Sequence, residues 1–212
     1  MSLILASTSP RRKELLALLQ VPFEVVEPAY QEQIMADVPP EAQAWTFALG
    51  KAQSCAWSHA DSLVLGSDTL IAAGDLILGK PSDRAQAGAM LRRLRGREHR
   101  IYTAVALCCA ARRIREVVVD TVRVRMTPFG DADLDAYLAG DEWKGKAGAY
   151  SIQGRAGDFI ERIKGDFTAA VGLPLKTVAA LLAGQGIRPG ADVDELYRTK
   201  PYPNWSRFSP AG

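Results

Sequence analysis

Apolar residues occur along the chain in short runs whose spacing switches repeatedly between the strand and the helix period. Residues 3–6 form an unbroken strand-length run that Ser7, Thr8 and Ser9 interrupt. Pro10 suits the first position of a helix and Ser9 its cap, and Leu15, Leu16, Leu18 and Leu19 supply an apolar stripe until Pro22 stops it. An extended segment over 23–26 and a loop over 28–40 lead to a second helical pattern, 41–58, with Trp45, Leu49 and Ala52 expected on one face. Residues 63–71 read as a strand that turns back at Ala73-Gly74-Asp75, and Ser82 or Asp83 caps a helix over 83–94. Two long β-rich runs follow, 100–110 and 114–127; in the second, Val122 and Val124 alternate with Thr121, Arg123 and Arg125, which predicts one wet face. A helix over 131–138, strands over 149–152 and 158–163, and a helix over 175–182 complete the pattern. This order predicts an α/β fold, a mixed sheet with flanking helices. Beyond Gly184, Pro189, Pro201, Pro203 and Pro210 break every period. Residues 1–184 are therefore expected to form the domain and 185–212 an irregular tail, with Trp205 and Phe208 available to dock it.

Composition narrows the class. At 48% hydrophobic and 24% charged the chain has the material for a core, which excludes wholesale disorder. A net charge of +2 lacks the basic excess that drives nucleic-acid binding, so nothing demands that partner. Three cysteines, two of them adjacent at Cys108 and Cys109, offer neither a disulfide framework nor spaced metal pairs, and His59 and His99 are too few for a zinc site. No apolar run approaches the ~20 residues that span a bilayer. The expectation is a reduced, cytoplasmic compartment and no membrane.

Four places carry candidate chemistry. In the turn at residues 7–12, a helix start aims free backbone N–H groups outward, a ready anion site. Arg11, Arg12 and Lys13 oppose the helix dipole there; an anionic ligand such as a polyphosphate resolves the conflict, whereas three solvated cations cost only a few tenths of a kcal/mol each. Asp68, inside the apolar strand run, is expensive unless paired, hydrogen-bonded or metal-bound, and at a strand's end it can hold magnesium or orient a water; an exposed strand face is the competing account. Lys51 follows Gly50 on a helix, and Lys80 is set between a strand and the rigid Pro81. Gln153, among glycines, has an amide able to read a base edge or to cap its own loop. The arginine clusters at 92–97 and 112–115 read as solvated faces.

Taken in order, these segments resemble the Maf family of nucleotide pyrophosphatases. The resemblance runs from about residue 3 to 182 and rests on Ser7-Thr8-Ser9-Pro10-Arg11-Arg12, Lys51-Ala52, Gly66-Ser67-Asp68-Thr69, Gly79-Lys80-Pro81, Tyr102-Thr103-Ala104-Val105, residues 147–154, and Val171-Gly172-Leu173-Pro174. It implies a cleft between two lobes, a fold shared with the inosine triphosphate pyrophosphatases, and cleavage between the α and β phosphates of a nucleoside triphosphate, assisted by Mg2+ or Mn2+. In family terms Asp68 is the general base and a metal ligand; Ser7, Arg11, Arg12, Lys51 and Lys80 hold phosphates; Glu32 helps with metal or water; and Arg12, Thr69 and Gln153 match positions linked to base choice. The Gly-Ala-Tyr segment ending in Gln153 is similar to the branch acting on dTTP and UTP. Two departures stand out: Ser67 replaces a common alanine, and Gln31 stands beside Glu32 where many relatives carry two acids. A homodimer is implied by family habit. Two other readings stay open, a pyrophosphatase for 7-methyl-GTP or other modified nucleotides, and a non-catalytic, nucleic-acid-binding regulator of septum formation.

Overall fold

The computed structural model describes residues 2–208. In chain order it runs β1 (Leu3–Ala6), α1 (Pro10–Leu18), β2 (Glu24–Val26), α2 (Pro40–Ala56), β3 (Leu63–Ala73), β4 (Leu76–Leu78), α3 (Arg84–Leu94), β5 (Glu98–Cys109), β6 (Ile114–Met126), α4 (Asp131–Leu138), β7 (Ile160–Lys164), α5 (Phe167–Val171), α6 (Leu175–Gly184), α7 (Val193–Thr199) and α8 (Trp205–Phe208). The strands make one sheet in the order β2-β1-β3-β5-β6-β7, with β4 also on β3. β1 is parallel to β2 and β3, and the remaining pairs are antiparallel. The mixed α/β sheet predicted from the pattern is what forms.

Alternation along the strands sorts the core into two layers. Leu3, Leu5, Leu63, Leu65, Ile101, Val105 and Leu107 face α1, α3, α5 and α6. Ile4, Ala6, Val64, Ala104 and Ala106 face α2 on the opposite side. The α2 layer is built of small residues: Ala44, Ala48, Ala52 and Ala56 on the helix meet alanines on the strands. Gly66 takes this to its limit, because a Cβ there would lie 2.5 Å from the Ala48 carbonyl oxygen and 2.7 Å from the Ala52 nitrogen. Helix and strand backbones therefore touch, and α2 has one position along β3.

The connections place a crevice. From β1 the chain crosses one face through α1 to β2, then the other face through α2 to β3, so β1 lies between elements wound in opposite directions. Such a switch point leaves a gap beyond the carboxyl ends of the strands. β1 ends at Ala6, paired with Gly66, whereas β3 continues to Ala73.

Several expectations are corrected. Trp45 is 37% exposed; the buried stripe of α2 runs through Ala44, Phe47, Ala48, Ala52 and Cys55 instead, with Leu49 and Ala52 buried as expected. Residues 149–152 are not a strand, because Gly148 and Ala149 both adopt left-handed φ, 65° and 64°, and end any ladder. The later strand starts at Ile160, after a 3-10 turn over Arg155–Phe159. The segment expected to be irregular carries α7 and α8. Asp192 caps α7 by accepting from Asp194 and Glu195 N–H, and Trp205 and Phe208 dock α8 by stacking on Phe167. Pro189, Pro201 and Pro203 punctuate these short helices rather than prevent them, and Pro210 lies outside the described residues.

His99 is buried on β5, its Nε2 2.6 Å from Tyr150 Oη, and burial holds its pKa down at about 4 against 6.5. The folded state keeps this ring neutral while the unfolded chain takes up a proton below its ordinary value. Stability from this residue is thus complete above about pH 6.5 and is lost as pH falls toward 4. Urea unfolding at pH 7.5 and 4.5 is expected to show a His99-dependent loss of about 2–3 kcal/mol, absent from His99→Gln; an equal loss in that variant refutes the assignment.

Candidate active site

Beyond the end of β1 lies a cavity of about 540 Å³. Ser7, Arg11, Arg12, Glu32, Lys51, Asp68, Thr69, Lys80 and Gln153 all line it. These nine residues therefore meet in one place, although they come from six separate segments of the chain. Lys13 does not join them; it is exposed, one step further round the helix. Lys146, Glu27 and Tyr30 line the cavity as well and were missed, since each stands alone in an irregular stretch with no periodic neighbour to mark it. Among the described residues the lining holds five cations (Arg11, Arg12, Lys51, Lys80, Lys146) against three carboxylates (Glu27, Glu32, Asp68), an excess suited to a polyanion.

The helix start behaves as expected in outline. Pro10 opens α1, but Ser9 makes no side-chain cap bond; Ser7 Oγ accepts the Ser9 N–H at 3.2 Å instead. Arg12 turns inward and is fixed by its neighbours, Nε donating to the Gly172 carbonyl at 3.0 Å and a terminal nitrogen to Thr69 Oγ1 at 3.1 Å. Burial lowers its pKa, partly offset by Asp68. The hydrogen-bond directions beyond Thr69 can be read off. Thr103 donates its only hydroxyl proton to the Ala169 carbonyl at 2.8 Å, so in the 3.0 Å contact between the two threonines Thr69 is the donor. Thr69 therefore has no proton left for a ligand and presents only a lone pair.

Asp68 stands on the α2 face of β3, 3% exposed. Lys51 Nζ donates to its Oδ1 at 2.6 Å and also pairs with Glu32. Oδ2 is buried with no hydrogen-bond partner. Burial raises the Asp68 pKa against the pull of Lys51 and Arg12. For Glu32, burial is outweighed by the bond to Lys51 and the fields of Lys51 and Lys80, and its pKa is lowered. The two carboxylates are thus pushed apart, with Asp68 the stronger base. The Glu32 loop is tied to α2 twice: the buried Gln43 amide bonds Met35 and Val38 backbone, and Gly50, without a Cβ, admits the Tyr30 ring.

A family model described as Maf-like protein matches residues 2–185. The chain belongs to the Maf family. A Bacillus velezensis protein named dTTP/UTP pyrophosphatase is 42% identical over 180 residues, covering 84% of this chain and 94% of that protein. A Bacillus cytotoxicus protein of the same name is 42% identical over 172 residues, covering 81% and 89%. The solved structure of the Staphylococcus aureus Ham1 protein aligns with a TM-score of 0.51 over 87% of this chain and 100% of its own at 13% identity, a likeness of fold. No helix among the described residues is long and apolar enough to cross a membrane.

In this Maf protein the close contact at Gly66 sets the Lys51–Asp68 pair, because Lys51 is one residue from Ala52 and Asp68 two from Gly66. Gly66→Ala is expected to destabilise the fold by about 1–3 kcal/mol through overpacking. Since the atoms in the way are mainly helix backbone, trimming Ala52 to glycine is not expected to rescue it. Urea titrations of the single and double variants test this; full recovery in the double variant contradicts it.

Proposed function

We propose that the protein hydrolyses dTTP and UTP to the monophosphate and pyrophosphate, with Asp68 as general base. The observation that carries this reading is the state of Asp68: a buried carboxylate with one oxygen on Lys51 and the other without a partner. A buried oxygen left unmatched is costly in a structure that serves only to fold. Its raised pKa suits the uptake of a proton from an attacking water. The family of the chain, and the names carried by its Bacillus relatives, support the same reaction.

Water forms a bond to the α-phosphorus as the bond from that phosphorus to the α,β-bridging oxygen breaks. The pyrophosphate leaves with the electron pair, and Asp68 receives the proton of the water. Ser7, Arg11, Arg12, Lys51 and Lys80 hold the phosphates, joined by Lys146 and by the N–H groups at the start of α1. Mg2+ or Mn2+ fits the donors available. Among the described residues no cluster of three or more His, Cys, Asp or Glu stands ready for a metal. Two hard carboxylates, Asp68 and Glu32, nevertheless suit an ion that completes its shell with water and substrate phosphate. Such an ion supplies Lewis-acid polarisation of the phosphoryl group.

Base choice follows from hydrogen-bond direction. Uracil and thymine present an acceptor, an N–H donor and an acceptor along one edge. Arg12 offers donors, Thr69 a lone pair only, and the Gln153 amide a donor, which is the complementary order; cytosine, with an acceptor at its ring nitrogen, fails against Thr69. Residues 1–184 hold all of this machinery. Cys55, Cys108 and Cys109 are free and buried, in keeping with a cytoplasmic protein.

Asp68→Asn is expected to lower kcat by about 10²–10⁴-fold while the thermal midpoint stays close to wild type, and EDTA is expected to abolish turnover of the wild-type enzyme. Near-normal turnover in the variant, measured as monophosphate release, refutes the base assignment. Thr103→Val, which strands the Thr69 proton, is expected to narrow the preference for UTP over CTP by about tenfold, with Thr103→Ser retaining it; competition assays with the two nucleotides decide this.

A further inference from the structure

The C-terminal segment lies outside the residues matched by the Maf model, 2–185, yet it is bonded to three parts of the cavity wall. Trp205, 1% exposed, stacks on Phe167 of α5 at 5.8 Å, with Tyr197 edge-on to it at 5.0 Å. Tyr197 donates to Asp166, which caps α5. Tyr202 donates to Glu14 of α1 at 2.7 Å. Asn204 donates through Nδ2 to the carbonyl of Ile152 at 3.0 Å, immediately before Gln153.

The last bond is built into its surroundings. Asn204 sits at φ 63°, a left-handed conformation that asparagine tolerates better than most residues. A Cβ on Gly157 would lie 2.9 Å from both Asn204 Nδ2 and Ile152 O, so the bond occupies space that only a glycine leaves free. On the other side of Gln153, Glu142 accepts the Arg155 N–H at 3.0 Å, and a Cβ on Gly154 would collide with that same carboxylate. Gln153 is thus held between two clamps, one of them supplied by the C-terminal segment. An amide discriminates between base edges only when its own position is fixed closely.

We propose that Asn204 is a positioning residue for base selection: by fixing the Ile152 carbonyl it sets the direction of Gln153, and the C-terminal segment forms part of the selecting wall. This rests on the pyrophosphatase reading above. A purely stabilising tail would alter only the unfolding midpoint.

The test compares wild type with Asn204→Gly, which removes the side chain without straining φ, with Gly157→Ala, which attacks the same bond from the opposite side, and with Arg207→Ala, which breaks an exposed pair to Asp158 on the same segment. The ratio of kcat/KM for UTP to that for CTP is expected to fall about tenfold in the first two variants and to hold in the third, with kcat on UTP within about threefold of wild type throughout. Amide hydrogen exchange over residues 150–156, read without any nucleotide, is expected to quicken in Asn204→Gly. An unchanged ratio in both bond-breaking variants of an enzyme that itself discriminates, or unchanged exchange, overturns the inference. A wild-type protein that turns over neither nucleotide sinks the pyrophosphatase reading first, and is told apart by the exchange result.

Discussion

Backbone contact between α2 and β3 at Gly66 is the constraint on which the site depends. Two main chains can approach this closely only where side chains are absent or reduced to a methyl, which is why the α2 layer is made of alanines. The consequence is positional. Lys51 and Asp68 come from elements separated by a loop, yet their charged atoms sit within 2.6 Å because the helix cannot slide along the strand. Burial alone would favour a protonated Asp68, and the lysine, with Arg12, opposes that tendency.

The electrostatics follow from this frame. Cations outnumber carboxylates around the cavity, and the lysine at its centre is shared by two acids. An arrangement of this kind is unbalanced without an anion, and it leaves one oxygen of Asp68 buried without a hydrogen bond. Cost to the folded state and fitness for a phosphate ligand are here the same feature, as expected where a fold carries a reacting site.

A second theme is the fixing of hydrogen-bond direction. Thr103 ends a relay at a backbone carbonyl, and that one donation determines which atoms of Thr69 and Arg12 remain for a ligand. The carbonyl belongs to α5, whose cap, Asp166, and first aromatic residue, Phe167, are gripped by α7 and α8. The C-terminal segment is therefore continuous with the wall of the cavity.

Much of this was legible in the residues. The strand runs, the Pro10 helix start and the hairpin of β5 and β6 follow from local periodicity, because burying one face of a strand or helix fixes the spacing of its apolar residues. Asp68 stood out as a carboxylate in an apolar strand, and Arg11 and Arg12 as cations at the wrong end of a dipole; both are local conflicts, and local conflicts are visible in one dimension. What the sequence could not reveal were outcomes of contacts between distant segments: the left-handed turn at Gly148 and Ala149 in place of a strand, the exposure of Trp45, Lys146 on the cavity wall, and the order that α7 and α8 take from Phe167. By itself the sequence determined which elements form and which side chains are too costly to be idle. Tertiary structure alone decided that Lys51 meets Asp68, that Thr69 faces the cavity as an acceptor and that Asn204 reaches Ile152, because each depends on which backbones can touch.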